Sequence, residues 1–321
     1  MAPSKPAQGD SGPGPDAPQG ARAASTAGQR AELVKRLRGH VATLEGVRHP
    51  ATAPERHRAA RDHIARELNA LGLEVELRPF SFRGRAYHNV VGVLPGRDAR
   101  RAHLLVGAHF DSTTDTPGAD DNASGVAALL ECARLVATRQ PEASVEFVGF
   151  DLEELQTVTG RYRVGSHALA RERRAHHVKL TGALVFEMVG YCDPTPGAQI
   201  VPPLLGIPVP RTGDFLAAVG DTRSKELLEN FVAGARVAAP GLSLVPYRTR
   251  LRGWLLPLTR LSDNASFWDA GYPALMLTDT AFLRNPHYHR STDTSATLDF
   301  RFMAQVTEAT AGAVARLADG T

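Results

Sequence analysis

Short apolar runs alternate with stretches of helical spacing along most of this chain, and that alternation constrains the fold more than any other feature. Strand-like runs are read at residues 73–77, 89–94, 103–109, 145–150, 182–189, 215–219, 242–245 and 274–278. Helical spacing falls at 125–136, 164–170, 224–235, 265–268 and 302–317. Two helices precede the first strand, one carrying Leu33, Leu37, Val41 and Leu44, the other spanning 58–71 with Ile64, Leu68 and Leu71 in register. The many Arg and His residues of those two helices are read as a solvated face. Such an order predicts an α/β protein, a single three-layer α/β/α domain around a central mixed, largely parallel sheet. Its ligand sites are expected beyond the carboxyl ends of the strands. No repeat suggests a solenoid.

Composition narrows the class. At 321 residues and 43% apolar, the chain can bury one large core, the better expectation for an α/β enzyme. Residues 1–27, rich in Pro, Gly, Ala, Ser and Gln, are expected to be a disordered tail before a catalytic domain at 28–321. With no apolar stretch long enough to span a bilayer and no secretory leader pattern, a cytoplasmic protein without membrane contact is expected. Cys132 and Cys192 are too few for a disulfide framework and are read as small buried hydrophobes. The net charge of +3 comes from scattered Lys and Arg interleaved with acids, so no nucleic-acid partner is expected. The sequence sets no oligomeric state.

Applied to the strand ends, the carboxyl-end rule selects His109 and Asp111, then Glu153 and Glu154, then Glu187, then His289. Each alone is weak, because a loop histidine is usually structural and paired glutamates usually open a solvated helix. Together with Asp120 and Asp121, which directly precede a helix and could simply cap it, they make the His and carboxylate set that two zinc ions require. Asp111 is placed to accept the second N–H of the His109 imidazole and fix its tautomer. The adjacency of Glu153 and Glu154 lets one bind metal while the other reaches the metal-activated water. Signatures of zincins, serine hydrolases and P-loop enzymes are absent.

The segments Ala108-His109-Phe110-Asp111-Ser112, Gly118 to Gly125, Phe150-Asp151-Leu152-Glu153-Glu154, Ser262-Asp263-Asn264 with Gly271-Tyr272-Pro273, and Tyr288 to Thr294 together resemble the M28 family of metallopeptidases. That family includes aminopeptidases, glutamate carboxypeptidase-like enzymes and glutaminyl cyclases, on a phosphorylase/hydrolase-like fold. The resemblance implies that His109 and Glu187 hold one zinc, Glu154 and His289 a second, and Asp121 bridges them. Asp121 is preferred to Asp120 because the family's bridging carboxylate stands four residues before the glycine matched by Gly125. Glu153 becomes the general base, and Tyr288 matches a tyrosine that in some relatives donates to the carbonyl oxygen. The function implied is a two-zinc exopeptidase acting on a peptide or small amide through a metal-bridging hydroxide, an aminopeptidase first. Carboxypeptidase or dipeptidase activity, glutaminyl cyclase-like acyl transfer and a non-catalytic scaffold are the alternatives. This chain departs from the pattern in three places: Glu187 stands where the family usually has Asp, residues 155–164 intervene before Gly165-Ser166, and Asn264 stands where many relatives carry His.

Overall fold

The computed structural model describes residues 19–154, 162–203 and 206–320. Most of the expected tail, and most of the segment inserted after Glu154, lie outside the described residues. One correction falls at the boundary: helix α1 (Gln19–Leu44) begins inside the stretch assigned to the tail, where the Pro-rich run ends at Pro18 and an alanine-rich sequence of high helix propensity follows.

Eight strands form one mixed sheet in the order β1-β2-β4-β3-β5-β8-β6-β7. They are β1 (Glu74–Phe82), β2 (Arg85–Leu94), β3 (His103–His109), β4 (Val145–Phe150), β5 (Leu180–Glu187), β6 (Phe215–Gly220), β7 (Ser243–Arg248) and β8 (Ala274–Thr278). The central strands β4, β3, β5 and β8 run parallel, so the loops that follow them leave on one edge of the sheet. β6 runs antiparallel to β8 and parallel to β7, so Phe215, at the start of β6, lies towards that same edge. β1 and β2 are longer than their apolar runs suggest. They form a hairpin closed by Arg83 and Gly84, both at positive φ, and β1 is an edge strand whose exposed, polar pattern hides its second half from a hydrophobicity reading.

Helices cover both faces. Leu104, Val106 and Phe186 pack beneath α2 (Pro54–Ala70), α3 (Gly125–Ala137), α5 (Lys225–Ala238) and α7 (Phe300–Asp319). Leu105, Val148 and Val185 face α4 (Val164–Ala175) and α6 (Asn264–Ala270). Burial on both faces explains why the central strands read as unbroken apolar runs. α1 lies outside α3 and α7, its Leu33, Leu37 and Val41 packed near Ala127 and Met303. The solvated-face reading of the first helices fits most of their arginines, which are exposed, but needs correction for their histidines. His63 is buried on α2, and His40 of α1 links it to the buried Glu131 of α3 at 3.2 Å on each side, because α1 and α2 both pack on α3. Cys132 is buried in the core, while Cys192 is half-buried. No described helix is long and apolar enough to cross a membrane.

Candidate metal centre

His109 ends β3 and Glu187 ends β5, while Glu154 follows β4 and His289 lies in the loop after β8. Asp121 sits in the turn that leads into α3. The parallel core therefore delivers all five side chains to one edge. They form two groups, His109 with Asp121 and Glu187, and Asp121 with Glu154 and His289, each with one donor atom per residue within 4.8 Å of the others. Asp121 belongs to both. Its Oδ1 lies 3.3 Å from His109 Nε2, which is 3.5 Å from Glu187 Oε2. Its Oδ2 lies 3.1 Å from His289 Nε2, which is 3.6 Å from Glu154 Oε2. Asp120 faces away, accepting hydrogen bonds from Gly190 N–H and the Asn285 side chain.

Neighbouring side chains fix the backbone under these groups. The Asp111 carboxylate, 3.5 Å from His109 Nδ1, accepts the backbone N–H of Glu153 at 2.9 Å and of Glu154 at 3.1 Å. One residue thus couples the end of β3 to both glutamates beyond β4. Asp293 accepts the N–H groups of Asp120 and Asp121, and Asn122, joined to Asp121 by a cis peptide bond, accepts the N–H of Met188. Ser262 donates to Glu187 Oε2 at 2.6 Å. Leu152, Met188 and His289 all hold positive φ, an arrangement that persists only where surrounding contacts over-determine it. Beneath the site lies Arg48, fully buried, its guanidinium donating to the carbonyls of Leu44, Gly46, Phe110, Pro117 and Gly118. It thereby ties both ends of the loop that runs from β3 to Asp121.

Burial, reinforced by neighbouring carboxylates, raises Glu153 well above the usual glutamate range, with Glu187, Asp263 and Glu154 adding to the effect. Burial and the acidic site around it also raise the Tyr288 hydroxyl, so it stays protonated. Burial would lower His289, yet Asp121 lifts it above its ordinary value. Carboxylates crowded together with so few cations call for a positive partner. Both ring nitrogens of His109 and Asp121 Oδ1 are buried and make no hydrogen bond, so the expected bond from the imidazole to Asp111 is not formed at 3.5 Å, and the nitrogen and oxygen donors suit zinc. The His289 side chain, 38% exposed, leaves the second group open towards solvent.

Beside Glu187 opens a cavity of about 100 Å³, walled by Ala217 and Val219 of β6, Val245 of β7, Met276 of β8 and Phe282. Tyr288 lines its mouth with its ring stacked on His289 at 3.8 Å.

The structure thus brings together every residue singled out for the site from sequence, Asp111, Glu153 and Tyr288 included. Asn264 stays apart, its side chain donating to Thr259 C=O. Sequence reasoning missed the parts played by Arg48, Ser262 and Asp293. The last two lie inside the quoted segments, but nothing local marks Arg48, in a polar stretch between helices.

Imidazoles and carboxylates gathered at the strand ends of an α/β sheet define a candidate hydrolytic metal centre. The chain belongs to peptidase family M28, whose sequence profile matches residues 89–314. It is 36% identical to Escherichia coli (strain K12) YfbL over 258 residues, covering 77% of this chain and 76% of that protein. It is 27% identical to leucine aminopeptidase 1 of Ajellomyces capsulatus over 271 residues, covering 80% of this chain and 62% of that protein. Among solved structures, the Legionella pneumophila LapA aminopeptidase shares the fold with a TM-score of 0.68 at 18% identity, over 90% of this chain and 73% of that one. Porphyromonas gingivalis glutaminyl cyclase does so with a TM-score of 0.65 at 19% identity, over 89% and 97%.

Proposed function

We propose that this chain is a two-zinc aminopeptidase that releases amino-terminal residues bearing bulky apolar side chains. The observation that carries the reading is Asp121, which turns one carboxylate oxygen to each of two ligand groups beside an apolar cavity. Zinc held by His109, Asp121 and Glu187 and by Asp121, Glu154 and His289 would polarise the scissile carbonyl and acidify a water. Glu153, buried beside both ligand groups, would take the proton of the attacking water and hand it to the leaving amine. The protonated Tyr288 hydroxyl donates to the carbonyl oxygen as charge develops there. The carboxylates around this space suit a protonated amino end. Arg48, whose charge reaches Asp121 and Glu154, is fully buried with its guanidinium turned to backbone carbonyls, out of reach of a substrate carboxylate.

The likeness to a glutaminyl cyclase fold supports a second reading, cyclisation of amino-terminal glutamine with a single zinc. Zinc counting by mass spectrometry, with Leu-Gly, acetyl-Leu-Gly and a glutaminyl peptide as substrates, tests both. Two zinc ions per chain and cleavage of the free dipeptide alone are expected. Cleavage of only the blocked dipeptide would replace the proposal with a carboxypeptidase or dipeptidase, and pyroglutamyl product without hydrolysis with a cyclase. Chelation should abolish turnover and zinc restore it.

A further inference from the structure

The segment between β7 and α6 has an outer side that the catalytic reading does not use. Between Glu229 and Asp263 the chain holds no acidic residue and five arginines, Arg236, Arg248, Arg250, Arg252 and Arg260. Within this stretch Leu251, Trp254 and Leu255 are 64%, 65% and 64% exposed, three of the large apolar side chains left most open among the described residues. They project from a short, well-anchored turn. Arg260 lies under the Trp254 ring at 4.1 Å and is held by Asp269 and the Arg252 carbonyl, so the tryptophan is presented rather than loose. Leu251 and Leu255 border one groove with Arg248 and Arg250. Both of these arginines are exposed, and neither makes an ion pair among the described residues.

We infer that this turn docks on an anionic lipid surface, with Leu251, Trp254 and Leu255 entering the interface while Arg248 and Arg250 meet the headgroups. Apolar tips flanked by unpaired arginines suit the boundary between acyl chains and anionic headgroups, and tryptophan favours that depth. A second copy of the chain fits less well. A two-fold contact through this patch would set the arginines of both copies against each other with no carboxylate between them. Such docking departs from the expectation of no membrane contact, and it needs no membrane-spanning helix.

The chain's two tryptophans make the test selective, because Trp268 is fully buried and only Trp254 can change its surroundings. Vesicles of equimolar phosphatidylglycerol and phosphatidylcholine should pellet the intact protein and shift its tryptophan emission to shorter wavelength. Added salt should weaken both effects by screening. Leu251→Ser with Leu255→Ser, and separately Arg248→Gln with Arg250→Gln, should each lower vesicle partitioning at least tenfold with Tm unchanged. The inference fails if neither vesicle type binds, or if pure phosphatidylcholine binds equally well. It also fails if the Leu251→Ser, Leu255→Ser variant instead abolishes a dimer seen by sedimentation, which would make a second copy the occupant.

Discussion

If the cavity beside Glu187 receives the substrate's first side chain, its capacity can be moved from substrate to wall. A leucyl substrate buries three more carbons there than an alanyl one. At about 0.8 kcal/mol per carbon this amounts to ~2.4 kcal/mol, or about 60-fold in kcat/KM. Ala217 lines the cavity from β6, where its Cβ is flanked by Phe215 and Val219 on the same face. Ala217→Leu adds the same three carbons from the protein side and so removes the space a leucyl group would use. The preference for Leu-Gly over Ala-Gly should then fall from about 60-fold towards unity, with the loss confined to the leucyl substrate and the zinc content unaltered. Steady-state kinetics on the two dipeptides, with metal analysis of the same samples, decides the matter. A variant that keeps the parent's preference would refute the placement of the side chain in this cavity.

Glu153→Gln should retain zinc but lower kcat by roughly 10²–10⁴-fold, the usual worth of a positioned general base, read from single-turnover rates. Arg48→Met strips several buried carbonyls of their donor and should cost about 3–5 kcal/mol in urea unfolding, with weaker zinc retention because the loop to Asp121 loosens. Burial and the neighbouring His40 lower His63 from 6.5 to about 4. Between these values the unfolded chain binds the extra proton, so stability should fall as pH drops from 6.5 towards 4, and His63→Leu should flatten that slope in urea midpoints measured across the range.

The α/β class was legible because strands buried on both faces must be continuously apolar, and the candidate donors stood out because parallel strands deliver their ends to one edge. Distant parts of the chain that meet only in space left no such trace. That Asp111 grips the N–H groups of Glu153 and Glu154 depends on the pairing of β3 with β4. Arg48 looks like any surface arginine until five carbonyls converge on it. The cavity is built from β6, β7 and β8 with the segments around Ile200 and Leu258, none of which carries a local signal of substrate contact. Only the first half of β1 was legible, because its remainder is an exposed, polar edge strand, and the start of α1 was masked by its proline-rich approach.

The sheet order has a consequence for how such a protein can diverge. Four of the five candidate metal ligands come from β3 and β5 or from the loops that follow β4 and β8, whereas much of the cavity wall belongs to β6 and β7 at the far margin. If that cavity takes the substrate's side chain, substitutions along that margin change which peptides are accepted without disturbing the proposed metal ligands. Duplicated copies of one ancestral gene could in this way acquire different diets while inheriting the same reaction.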